Sequence, residues 1–244
     1  MAEDAGRAAF YAARPGGWRD WWTLLHPPYT AWHLAYVAIG AALAPRLDGV
    51  RLGATVLAFF AAMGIGAHAL DELHGHPLGT RISDRTLIAA GVVGVVGAVA
   101  LGVLGLGRVG PILVPFIVVG PVLVVAYNLE LFGGRLHTDV GFALSWGAFP
   151  VLTAYVAQAA QINGAALLGA AAAFALSYAQ RSLSTPARLL RRRVNHADGA
   201  LTLDGGEVQR VTVEGLLGPL ERTLRALTWA VVLLAAAMVT ARLW

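Results

Sequence analysis

The chain has 244 residues, is 57% hydrophobic and only 13% charged, and has a mean hydropathy of +0.65. Its formal net charge is +4, all 18 basic residues are arginine, and cysteine is absent. These counts exclude a disulfide framework, thiolate ligands, a catalytic thiol and a lysine Schiff base, and the pI of about 10.0 fits arginine-rich loops beside a membrane better than a nucleic-acid partner.

Residues 1–29 carry Glu3, Asp4, Arg7, Arg14 and Arg19 with no apolar core segment, so no cleavable signal peptide is expected. Trp18, Trp21, Trp22 and Trp32 point instead to an interfacial segment, because indole rings favour the headgroup level. Beyond it, a span needs about 20 mostly apolar residues, and seven stretches qualify, at about 30–45, 51–70, 87–107, 111–129, 139–160, 164–181 and 222–242. The runs are continuous rather than alternating, which predicts helices and not a barrel. The expected fold is an all-α polytopic transmembrane bundle of about seven spans, with residues 30–244 as one domain.

The second span runs into His68-Ala-Leu-Asp71-Glu72-Leu-His74-Gly75-His76-Pro77. On a helix His68 and Glu72 share a face with Asp71 one step round, and Gly75 and Pro77 end the helix. Asp84, ahead of Thr86 and Leu87, is the expected N-cap of the third span, whose Gly91, Gly94 and Gly97 suit close helix contact. Tyr127, Asn128 and Glu130 close the fourth span, and His137 and Asp139 precede the fifth. Residues 182–220 are the one long polar segment, a loop with Arg188, Arg191, Arg192 and Arg193 near its start and Asp198-Gly199 and Asp204-Gly205-Gly206 further on. The arginine run suits anionic lipid, or the grip of an anionic substrate.

Alternate sides of seven spans receive fourteen and four arginines, the larger share on the N-terminal side. The positive-inside rule then places the N-terminus in the cytoplasm. All 7 histidines and 13 of the 14 acidic residues fall on that same face, Asp48 being the exception. Acids and imidazoles gathered in one membrane layer are costly without a cation or substrate. His68, Asp71, Glu72, His76, Glu130 and His137 are accordingly the candidate metal ligands. The bland alternatives are ion pairs of Asp71 with Arg81 and of Glu130 with Arg135; His26, His33 and His196 are read as interfacial or hydrogen-bonded residues and not as ligands.

These residues resemble the UbiA-type prenyltransferase superfamily of membrane bundles. The likeness begins at Leu25-His-Pro27-Pro-Tyr-Thr-Ala-Trp-His-Leu and is clearest from Asp71-Glu72 through Pro77-Leu-Gly-Thr-Arg81-Ile-Ser83. The stretch from Tyr127 to Gln158, with Gly147-Ala-Phe-Pro150, is similar to that family's fourth and fifth spans. The resemblance implies a cytoplasm-facing cavity that binds an isoprenoid diphosphate through Mg²⁺. In it Asp71, Glu72 and Glu130 would be catalytic, and Arg81, Arg188, Asn128 and Tyr127 would bind substrate. The chain departs from the pattern at named positions. His68 stands where the first aspartate motif has Asn, Ala69 where it has its first Asp and Glu72 where it has its second; the third is missing. The second motif is replaced by Gln180-Arg181-Ser-Leu-Ser-Thr-Pro186. Imidazoles in place of carboxylates shift metal preference from Mg²⁺ toward Fe, Zn or Mn.

Three functional readings follow. The first is a divalent-metal-dependent membrane enzyme acting on a lipidic, isoprenoid substrate. The second is a His/carboxylate transition-metal enzyme, hydrolytic or oxidative, on the same scaffold. The third is a non-enzymatic carrier or membrane binding protein. All place the protein in a bacterial cytoplasmic membrane with a membrane lipid or isoprenoid as partner and no nucleic acid; the sequence leaves the oligomeric state open.

Overall fold

The computed structural model describes residues 13 and 15–243. Of the expected interfacial segment, Glu3, Asp4, Arg7 and Arg14 lie outside the described residues. A short helix α1 (Trp18–Leu24) leads through His26 into α2 (Pro27–Leu43). Pro27 and Pro28 open α2 where a helix has no use for an amide hydrogen. There follow α3 (Gly49–Leu73), α4 (Asp84–Val109), α5 (Pro111–Asn128) and α6 (Asp139–Ala159). Then come α7 (Gly164–Arg193), a hairpin of β1 (Ala200–Thr202) and β2 (Val208–Arg210), and α8 (Val213–Thr240). The two strands are antiparallel, with Leu201 opposite Gln209.

Five of these helices, α3, α4, α5, α6 and α8, are long and apolar enough to cross a membrane. They cover the stretches expected at 51–70, 87–107, 111–129, 139–160 and 222–242. The other two expected spans fall on α2, of 17 residues, and on the first part of α7, of 30 residues, which are helices of the same bundle but not among the five. Val93 and Leu104 on α4 and Leu233 on α8 lie bare on the outside of the bundle. Such an apolar belt suits lipid and not water.

α2 is the central stave, packed on α3, α6, α7 and α8. Trp32 and Tyr36 from α2 meet Val151 of α6, Ala170 and Ala173 of α7, and Val231 and Ala235 of α8. Trp32 is therefore a core residue and not interfacial as expected, whereas Trp18, Trp21 and Trp22 are exposed on α1. The helices touch backbone to backbone at glycine. A Cβ on Gly40 would strike the Val151 carbonyl, one on Gly94 the Ala61 carbonyl, and one on Gly147 the Ala173 carbonyl. Of the expected glycine face on α4, Gly91 and Gly94 meet α3, while Gly97 faces open space.

Two spans widen locally. Residues Phe60–Ala67 of α3 and Ala143–Ala148 of α6 form π-helical turns, which insert an extra residue and re-aim the side chains that follow. Residues 182–193, expected as loop, continue α7 through Pro186. Ala187, with Leu183 and Leu190, packs against Leu217, Leu220 and Leu224 of α8, and this apolar seam outweighs the hydrogen bond lost at proline. The N-cap expected at Asp84 falls one residue earlier: Ser83 Oγ accepts from the Thr86 amide at 3.3 Å.

Candidate functional site

The arginine-rich end of the bundle collects the C-terminal turns of α3 and α5, the N-termini of α2 and α6, and the last turns of α7. The ends of α3 and α5 are neighbours: Met63 and Ala67 share a core with Val124 and Tyr127, closed by Trp146 of α6.

Glu72 is fully buried. One of its carboxylate oxygens accepts from the Leu78 amide at 2.8 Å; the other accepts from the Thr80 amide at 2.9 Å and the Thr80 hydroxyl at 2.8 Å. The turn after α3, with Gly75, His76 and Gly79 at positive φ, is thus wrapped round one buried carboxylate. His76 stands beside it, Nδ1 3.7 Å from Glu72 and Nε2 3.1 Å from Asp84. Asp20 of α1 braces the same turn by accepting from the Arg81 amide at 3.3 Å, while the Arg81 residue is exposed.

A second group lies on α5 and the segment after it. Tyr127 is buried and its ring stacks on His137 with centroids 4.6 Å apart. Nδ1 of His137 is 3.3 Å from the Tyr127 carbonyl oxygen and 3.8 Å from Glu130. The Asn128 amide donates to the Val124 carbonyl at 2.7 Å, which caps its own helix. Arg181 of α7 bonds Asp139 at 3.1 Å and covers the Phe142 ring at 5.4 Å.

Three more imidazoles, those of His26, His33 and His68, lie at this end of the bundle. The rings of His26 and His68 lie 4.7 Å apart. His33 holds the Tyr29 carbonyl through Nδ1 at 2.6 Å and meets Tyr36, Phe142 and Trp146 edge-on. Burial, then the charges of His68, Arg192, Arg188 and Arg191, push the His26 pKa well below the ordinary histidine range, so that imidazole is neutral at pH 7.

Asp71 and Arg188 complete the site. Both are half-buried, each lies in the other's electrostatic field, and Arg192 reaches both while His137 reaches Asp71. Neither makes a hydrogen bond or close ion pair among the described residues. Among the buried polar atoms without a hydrogen-bond partner among the described residues are His33 Nε2, the Tyr127 hydroxyl and Gln180 Oε1. Among the described residues neither expected pair, Asp71 with Arg81 or Glu130 with Arg135, forms: Glu130 lies 3.8 Å from His137, and Asp71 lies in the electrostatic field of Arg188 without contact.

The six candidate metal ligands do not converge. No group of three or more His, Asp and Glu able to hold a metal ion occurs among the described residues. A resident Zn or Fe centre needs about three protein ligands and does not fit this arrangement. Mg²⁺ keeps waters and binds through one or two carboxylates plus the substrate's own phosphates. Asp71, with its oxygens uncommitted, fits that requirement; Glu72, with its oxygens spent on the turn, does not. His33 and Gln180 are additions to the set named from sequence. The ring neighbours Phe142 and Trp146 of His33 lie on α6, remote in the chain, and a lone histidine between Trp32 and Leu34 carries no local signal. Comparison with protein-family models, with curated proteins and with solved structures gave no match.

Proposed function

We propose that the chain is an integral membrane protein of seven spans on a UbiA-like plan, and that its arginine-rich end faces the cytoplasm and binds the diphosphate head of an isoprenoid substrate for prenyl transfer. The observation that carries this reading is the uncommitted, half-buried Asp71 and Arg188, set beside the unpartnered Tyr127 hydroxyl. Buried polar groups left without partners cost about 1–3 kcal/mol each, so their persistence at one level favours a ligand that completes them.

In this reading Arg188, with Arg192 at its side, takes the diphosphate oxygens; guanidinium is the planar donor suited to phosphate. Asp71 supplies the oxygen ligand for Mg²⁺. Held by Asp71, Mg²⁺ would supply Lewis-acid stabilisation of the negative charge on the departing diphosphate. Tyr127 and Asn128 line the site. Glu72, His76 and Asp84 are positioning residues that fix the turn after α3. His68 and His137 are ring walls, with Glu130 beside the latter.

The test is equilibrium binding of farnesyl diphosphate to the full chain in nanodiscs, combined with elemental analysis. Binding that needs Mg²⁺ and is lost with chelator, on protein that retains no stoichiometric transition metal, is the expected result. A tightly held Fe, Zn or Mn ion, or no binding of the diphosphate with Mg²⁺ present, overturns the reading.

A further inference from the structure

The arginine-poor end of the bundle holds a cavity of about 330 Å³ between α3, α4, α5 and α6. That volume is at the lower end of the ~300–1,000 Å³ typical of small-molecule sites. Phe59, Phe116 and Phe149 form one wall, with Phe149 5.8 Å from Phe116 and 6.2 Å from Phe59 between ring centroids. Met63, Val124 and Trp146 close its floor, and the same three residues pack under Tyr127. The floor therefore separates the cavity from the polar layer that holds Asp71 and Arg188. Along α4 the lining runs from Val95 to Arg108, a depth of roughly 20 Å at helical rise, which suits one long chain.

Charge sits only at the mouth of this lining. Arg51 opens α3 there and Arg108 closes α4. The Arg51 guanidinium donates to the carbonyls of Arg108 at 2.7 Å, Gln158 at 3.0 Å and Ala157 at 3.4 Å, so it staples three helix ends together. Asp48 lies 3.9 Å from Arg51 but accepts from the amides of Val50 and Arg51 as the cap of α3. The Arg108 guanidinium makes no hydrogen bond or close ion pair among the described residues. Two arginines against one carboxylate leave this end of the apolar cavity positive.

We propose that this cavity binds a long-chain fatty acid, its carboxylate at Arg108 and its chain running down between the phenylalanines to Trp146. A single chain matches the volume, an anionic head matches the mouth, and the aromatic walls match a saturated or unsaturated hydrocarbon alike. The inference stands on the cavity alone and not on the prenyl-transfer reading, because the floor divides the two sites.

The experiment uses the full chain in nanodiscs of zwitterionic lipid and bromine-labelled palmitate as quencher of tryptophan fluorescence. The signal is the difference between the parent and Trp146→Phe, which removes quenching of the lipid-facing tryptophans. The expected result is saturable quenching of Trp146, displaced by plain palmitate but not by hexadecanol. Arg108→Gln, at the rim of the bundle, lowers the apparent affinity roughly tenfold, the loss of one charge-assisted contact. Gly120→Phe, whose Cβ would lie 3.5 Å from the Phe149 ring within the cavity lining, abolishes the signal. The proposal is overturned if quenching is unsaturable or survives Trp146→Phe unchanged, or if hexadecanol competes as well as palmitate. It is equally overturned if farnesyl diphosphate with Mg²⁺ displaces the label, which would make the cavity the tail pocket of the other site, or if only a two-chain anionic phospholipid does so.

Discussion

Replacing Glu72 by alanine separates two roles that a buried carboxylate at a helix end can play. In the structure its oxygens accept from the Leu78 amide, the Thr80 amide and the Thr80 hydroxyl. Hydrogen bonds to a charged group are worth about 1.5–3 kcal/mol each, but Leu78 and Thr80 are only half-buried and water replaces part of what is lost, so the expected destabilisation is about 2–4 kcal/mol. The loss is local: the turn opens while the apolar seams of the bundle persist. Hydrogen exchange with peptide resolution is the assay. In Glu72→Ala the segment 74–82 exchanges roughly 30–1,000-fold faster, the equivalent of about 2–4 kcal/mol of opening, while α2 and α6 keep their protection. Glu72→Gln keeps one acceptor oxygen and falls between. Unchanged protection of 74–82 in Glu72→Ala, together with loss of bound metal, would refute this reasoning and return Glu72 to the metal.

Other outcomes follow from the same geometry. Gly94→Ala places a methyl against the Ala61 carbonyl and lowers stability by about 1–3 kcal/mol in a detergent unfolding series, whereas Gly97→Ala, facing open space, does not. The lowered pKa of His26 means that the unfolded chain takes up a proton at this position before the folded one does. Stability on this account is full above the ordinary histidine value of 6.5 and is lost as the pH falls below it. Thermal unfolding of His26→Gln is therefore less sensitive to a shift from about pH 7 to pH 5.5 than that of the parent. Arg51→Ala removes donors from three carbonyls at the mouth of the cavity and costs about 1–3 kcal/mol, read as a lower unfolding temperature. Arg181→Ala, which breaks a partly exposed pair with Asp139 and a contact with Phe142, costs only about 1 kcal/mol by the same measurement.

The helices were legible because hydropathy reads length directly: α3, α4, α5, α6 and α8 stand where continuous apolar runs predict them. The end of α3 was legible as well, since Gly75 and Pro77 punctuate it. Partners were not. Periodicity places Asp71 and Glu72 side by side but does not say that one lies in the field of Arg188 and the other holds a turn six to eight residues on. The π-helical turn before His68 shifts that register, and no local signal marks it. The helical reading of 182–193 was lost to Pro186 and four arginines, because the apolar seam of Leu183, Ala187 and Leu190 becomes visible only once α8 is beside it. Trp32 shows the same effect, an interfacial residue type taken into the core by α6, α7 and α8.

Prenyl transfer at this end of the bundle requires Asp71 and Arg188 to meet one ligand. The direct measurement is the affinity of farnesyl diphosphate for the parent, Asp71→Asn and Arg188→Gln, each with and without Mg²⁺. Arg188→Gln is expected to weaken binding in both conditions, and Asp71→Asn to leave the metal-free affinity alone and remove the gain that Mg²⁺ brings. Equal affinities for all three proteins, or a Mg²⁺ effect that persists in Asp71→Asn, would contradict that requirement.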